Sequence, residues 1–130
     1  MKKVLFVCVE NSNRSQMAEA FAKIHGAGKV EAYSSGSRPS GKINPKAIAA
    51  MKELGYDLTS HQSKSLDEIP KIKYDYAITM NCGDECPFVI AELRDDWKLD
   101  DPKNLDPSEF NKVRDEIERR VKKLISSLLD

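Results

Sequence analysis

Cys8 and Arg14 stand at the two ends of Cys8-Val9-Glu10-Asn11-Ser12-Asn13-Arg14, with five residues between them. A thiol offers a nucleophile, and a guanidinium offers a two-pronged clamp for an oxyanion. The intervening amides, Val9 to Asn13, can wrap one tetrahedral anion, with Arg14 closing the ring opposite the sulfur. The loop follows the apolar run Val4-Leu5-Phe6-Val7 and leads into a helix-like stretch near Gln16. A strand feeding a tight loop that opens a helix is a place where backbone N–H groups converge on an anion. The pattern points to attack by a thiolate on a phosphate-like oxyanion. A lone cysteine at a strand end is usually a small buried hydrophobe. Here Asn11, Ser12, Asn13, Arg14 and Ser15 are poor companions for a core thiol. They suit a thiolate, which helix-start dipoles and a nearby cation favour. Ser15 is placed either to cap the helix or to donate to the Cys8 sulfur, and the two roles are compatible.

Cys82 and Cys86 form a second group, in Cys82-Gly83-Asp84-Glu85-Cys86-Pro87. Cys-x3-Cys is a permissible zinc spacing, but zinc wants four ligands and only Cys8, His25 and His61 remain. A polar loop containing Gly83 suits a disulfide that has to migrate, so the pair reads as redox-active. No metal and no cofactor is expected. Asp101-Pro102 taken alone is a turn signal. His25 near a helix C-terminus and His61 in a polar loop are expected to be non-catalytic. Trp97 is expected to pack beside the site.

The elements that position these groups follow from patterning. The chain has 130 residues, 40% hydrophobic and 32% charged, which suits one domain spanning 1–130 with a single packed core. Its 21 basic and 21 acidic residues cancel, so no global field recruits nucleic acid or a membrane surface. The N-terminal apolar run is too short for a secretory segment, and no run approaches the ~20 residues of a membrane span. With an odd number of cysteines, a cytoplasmic protein is expected, and a monomer.

Lys3 to Cys8 is apolar throughout and predicts a buried parallel strand. Met17, Ala18, Phe21, Ala22 and His25 recur at helical spacing up to Gly26. Lys29 to Ser35 alternates and predicts a second strand. Asn44-Pro45 caps and opens a second helix, with Ala47, Ile48, Met51 and Leu54 facing inward and Gly55 ending it. A short helix is expected near Leu66 to Ile69, a third strand at Tyr74 to Met80, and a fourth around Trp97 to Leu99. Asp106-Pro107-Ser108-Glu109 resembles a capping box, followed by the stripe Phe110, Val113, Ile117, Val121, Leu124 and Leu128. Alternation of strands and helices predicts an α/β domain whose ligand sits beyond the carboxyl ends of parallel strands. Cys8 and Cys82 would then share one sheet edge.

Cys8-x5-Arg14-Ser15 after an N-terminal strand resembles the low-molecular-weight tyrosine phosphatase superfold. Arg14-Ser15-Gln16-Met17-Ala18-Glu19 and Cys82 to Pro87 resemble its thioredoxin-coupled arsenate reductases; the phosphatases usually carry Pro where this chain has Gln16. Tyr33-Ser34-Ser35-Gly36, Asn44-Pro45, Asp100-Asp101-Pro102 and Arg114-Asp115-Glu116-Ile117 extend the likeness over nearly all of the chain. It implies a four-stranded parallel sheet flanked by helices, flavodoxin-like, with an N-terminal anion loop. It also implies arsenate as substrate, with phosphate or sulfate competing, and thioredoxin or a similar dithiol as reductant. Asp101 matches the general acid, with Asp100 next to it. Cys82 and Cys86 match the relay thiols, although Asn81 takes the slot that directly follows the strand in the best-known members. Asn11, Glu19 and Ser34 match positions that bind potassium in some members. Lys64 takes the place of a fourth, usually Asp, so weak or absent potassium dependence is expected. Alternative readings are a phosphotyrosine phosphatase, which leaves Cys82 and Cys86 unexplained, and a thiol-based metal or arsenite sensor, which would not need Arg14.

Overall fold

Strand β1 (Lys2–Cys8) is apolar on both faces from Val4 onward because both are covered there. Val4, Phe6 and Cys8 enter the larger core cluster, whereas Leu5 and Val7 enter a smaller one with Ile69, Tyr74, Ala77 and Ala91. The computed structural model describes residues 1–80 and 90–129, and Cys82 and Cys86 lie outside the described residues. After β1 come α1 (Arg14–His25), β2 (Val30–Gly36), α2 (Pro45–Lys52), β3 (Tyr74–Thr79), β4 (Ala91–Asp96) and α3 (Pro107–Leu129). The sheet runs β2-β1-β3-β4 with all pairings parallel. The four strand ends therefore point the same way, and the loops after them gather at one edge. None of the described helices is long and apolar enough to cross a membrane.

The three helices share the larger cluster. Met17 and Phe21 of α1, Ala47 and Met51 of α2, and Phe110, Ile117 and Val121 of α3 all pack there. The last helix starts as its sequence requires, with Asp106 Oδ1 accepting from Glu109 N at 2.9 Å. Arg114 ties α3 to α2, donating to Ala50 O and to Glu53 Oε2. His25 Nε2 lies 2.9 Å from Glu118 Oε2, so this histidine joins α1 to α3. Trp97 is buried with its ring 5.9 Å from Phe6.

Two expectations fail here for physical reasons. The fourth strand is Ala91–Asp96, not Trp97–Leu99. It is the sheet's edge strand, and of its six residues only Ala91 is buried, so it carries no apolar pattern to read. Trp97 and Leu99 are apolar because they plug the core after the strand has ended. The inward stripe of α2 is also shorter than read. The helix stops at Lys52, the chain turns through Gly55 at φ 82°, and Leu54 is left 44% exposed.

Truncating Met51 to Ala should therefore cost about 2–5 kcal/mol of unfolding free energy. Truncating Leu54 to Ala should stay within about 0.5 kcal/mol. Urea denaturation of the two variants checks the difference.

Candidate active site

The loop from Cys8 to Arg14 is turned inside out by its neighbours. Five successive carbonyls are taken up by donors outside it. Cys8 O accepts from Ser37 N, Val9 O from Arg38 N, Glu10 O from Ser40 N, and Ser12 O from Asn44 N. Asn11 O accepts from the side chain of Gln16. With the carbonyls drawn outward, the opposite ends of the same peptides face in. Among the described residues, the amides of Glu10, Ser12, Asn13 and Arg14 donate to no protein group. The result is a cavity of about 490 Å³ lined by Cys8, Glu10, Ser12, Asn13, Arg14 and Asp101, together with Val9, Arg38 and Lys103. Two backbone details permit this close passage. Asn11 adopts a left-handed φ of 51°, which asparagine tolerates. Gly36 lies under the loop, where an added Cβ would meet Val9 O at 2.5 Å and Asn11 N at 3.0 Å.

Cys8 is 3% exposed, and its sulfur is met by two donors. Asn11 N lies 3.2 Å away, and Ser15 Oγ 2.8 Å away. Ser15 Oγ itself accepts from Asn11 Nδ2 at 2.8 Å, which leaves its hydroxyl hydrogen for the sulfur. Ser15 therefore serves the thiol. It is not the helix cap, because α1 begins at Arg14 and Asn13 holds the capping position.

Behind Asn11 runs a buried chain that the motif does not announce. Gln16 Nε2 donates to Asn11 Oδ1 at 2.8 Å and to Gln62 O at 2.8 Å. Its Oε1 is then the acceptor from His61 Nδ1 at 2.9 Å, which leaves His61 Nε2 to accept from Tyr56 O–H at 2.6 Å. Every bond from Tyr56 through His61, Gln16, Asn11 and Ser15 to Cys8 points its hydrogen toward the sulfur. Hydrogen bonds aligned in this way polarise one another. His61 is held below its ordinary value of 6.5, chiefly by burial, with Lys23 and Lys64 acting in the same direction and Glu19 opposing. Gln16, His61 and Tyr56 were not singled out as site residues; the one sequence signal was Gln16 itself, where the phosphatases usually carry Pro.

Arg14 is 7% exposed, and its Nη1 donates to Met80 O at 2.8 Å and to Leu99 O at 2.7 Å. Its Nε and Nη2 hydrogens carry no protein partner among the described residues, so that edge is open to an anion. The segment around Asp101 is fixed from several sides. Lys46 Nζ donates to Lys103 O and Leu105 O, and Lys103 Nζ lies 3.6 Å from Glu10 Oε2. Asp101, and not Asp100, lines the cavity.

Ser34 Oγ donates to Glu19 Oε1, and Lys64 connects that pair to Asn11, its N donating to Asn11 Oδ1 and its Nζ lying against Glu19. The surroundings are those of a compensated carboxylate. Lys23 Nζ lies 2.7 Å from Glu19, Lys64 Nζ 3.7 Å and His61 Nδ1 3.8 Å. Burial alone would raise the Glu19 carboxyl, but hydrogen bonds from Lys23 and Ser34 and the charge of Lys64 hold it below 4.5. Asn11 Oδ1 is already taken by Gln16 and by Lys64 N. This donor set does not fit a potassium ion.

Residues 3–130 match the family model described as low molecular weight phosphotyrosine protein phosphatase. The chain is 41% identical to a glutaredoxin arsenate reductase of Synechocystis, over 98% of this chain and 99% of that one. It is 40% identical to arsenate reductase 1 of Staphylococcus epidermidis, over 92% of each. A solved arsenate reductase in the phosphate binding state superposes with a TM-score of 0.89 at 42% identity, covering 98% of both chains. A thioredoxin-dependent arsenate reductase of Corynebacterium glutamicum superposes with a TM-score of 0.80 at 31% identity, covering 99% of this chain and 62% of that one.

Two outcomes follow. Because the folded state depresses His61, the stability it contributes is complete above pH 6.5 and is lost as the pH falls through its folded value. Urea midpoints measured from pH 7 to pH 5 should decline in the parent. They should be lower but flatter in His61→Phe. Exchanging sodium for potassium should leave turnover unchanged, because Lys64 already stands beside Glu19; a several-fold rise with potassium alone would contradict this.

Proposed function

We propose, for a chain that belongs to the low molecular weight phosphotyrosine protein phosphatase family, that its reaction is the reduction of arsenate to arsenite. The observation that carries the reading is Cys8 Sγ at the base of an inward-facing amide cradle, in a chain that also holds a second thiol pair. A tetrahedral arsenate would take the inward N–H groups and the open edge of Arg14. The sulfur of Cys8 attacks arsenic, an As–S bond forms, and an As–O bond breaks. Asp101 gives its proton to the departing oxygen, which leaves as water. The Cys82 thiolate then attacks the Cys8 sulfur. As the new S–S bond forms, the As–S electron pair stays on arsenic, which leaves as arsenite. Two thiols have lost the two electrons that arsenic gained. Cys86 exchanges with Cys82, and the resulting Cys82–Cys86 disulfide is reduced by an external dithiol.

Relatives named for glutaredoxin and for thioredoxin support a thiol reductant of this general kind. Phosphate is the expected competitor, in keeping with the relative solved in a phosphate binding state. The family resemblance and the shared cradle also favour weak hydrolysis of aryl phosphates, which needs only Cys8, Arg14 and Asp101.

Free thiols counted on fully reduced protein should fall from three to one when arsenate is added without reductant, with arsenite released. Phosphate should cause no fall. Retention of all three thiols, together with aryl phosphate hydrolysis, would instead make the phosphatase chemistry primary. Cys86→Ser should complete one turnover and then stall with thioredoxin or glutaredoxin present, and repeated turnover would refute the relay.

A further inference from the structure

Asn13 occupies the capping position of α1, where an asparagine side chain ordinarily accepts from an amide of the first helical turn. It makes no such bond. Its Nδ2 instead reaches across the cavity to Asp101 Oδ1, 3.3 Å away and 88 residues on in sequence. Its Oδ1 is buried without a partner among the described residues, in a side chain belonging to a residue only 4% exposed. A buried amide that forgoes its cap and leaves its carbonyl unpaired is held by its one remaining contact. That contact is the carboxylate at the far wall of the site. The same carboxylate oxygen also accepts from Lys103 N at 3.1 Å. Both donors to Asp101 among the described residues thus fall on Oδ1, and neither reaches Oδ2.

We propose that Asn13 is a positioning residue for proton transfer: its amide fixes Asp101 Oδ1, so that the transferable proton resides on Oδ2 and the 99–105 segment stays docked over Cys8. When the proton passes from Oδ2 to the oxygen leaving arsenic, the carboxylate keeps both hydrogen bonds at Oδ1 and needs no rearrangement. This rests on the reading of Asp101 as the acid. The other restraints on the segment act on its backbone or on Lys103, through Arg14 at Leu99 O, Lys46 at Lys103 O and Leu105 O, and Glu10 at Lys103 Nζ. Among the described residues, only Asn13 aims the carboxylate from outside its own turn.

The test is a double-mutant cycle on the full chain, read as the first-turnover rate of arsenate-driven thiol loss. Asn13→Ala should slow the parent about tenfold and should change the Asp101→Ala protein by less than about twofold. Inorganic phosphate should protect Asn13→Ala at the same concentration as the parent, showing an intact cradle. Asn13→Asp keeps the shape but replaces the donor with a charge opposed to Oδ1. Read at saturating arsenate, it should slow the parent more than Ala does, and should slow the Asp101→Ala protein less than it slows the parent. This second variant serves where Asn13→Ala fails to fold. Equal slowing by Asn13→Ala with and without Asp101 would overturn the proposal and leave the acid reading standing. An Asp101→Ala protein as fast as the parent would overturn the acid reading, and the role of Asn13 with it.

Discussion

One nitrogen holds the functional edge of this domain together. Arg14 Nη1 spends both hydrogens on backbone carbonyls, one at the end of β3 and one ahead of Asp101. Through that nitrogen the anion loop, the strand that leads toward the second thiol pair, and the segment carrying the candidate acid share one anchor. A lysine could offer charge to an anion, but it lacks the fixed fork that serves two carbonyls on one side and an oxyanion on the other. The residue that most plainly reads as a ligand clamp is therefore also a structural rivet.

The electrostatics of the site rest on orientation more than on net charge. The whole chain sums to zero. What faces the sulfur is a set of amides whose carbonyls have been drawn outward, and a file of neutral side chains whose hydrogens all point one way. His61 belongs to that file as a neutral ring, locked in one tautomer by Gln16 on one side and Tyr56 on the other. Glu19, the nearby buried carboxylate, has its charge matched by Lys23 and Lys64 and so does not oppose an incoming anion.

Local signals carried the candidate nucleophile, the loop and most elements. Cys8, Arg14 and the apolar β1 lie within one short stretch, and Asn44-Pro45 and Gly26 mark their helix ends. What escaped reading was set by partners distant in sequence. The Gln16–His61 contact spans 45 residues and the Asn13–Asp101 contact 88, and neither leaves a periodicity or a spacing. β4 was misplaced because an edge strand need not be apolar, while Trp97 and Leu99 are apolar without being strand. Leu54 continued the α2 stripe on paper beyond the point where the helix itself had stopped.

The outward pull on the loop's carbonyls has a consequence for how the protein matures. Four of its five donors come from residues 37–44 and the fifth is Gln16, and the chain behind Asn11 is closed by Gln62 and Lys64. A growing polypeptide makes Cys8 early, but the distant groups that shape its surroundings follow only about thirty to fifty-six residues later, and parallel pairings form slowly. The polar surroundings of this sulfur are therefore a property that the chain acquires late in folding, because their donors lie far along the sequence from the strand that carries it.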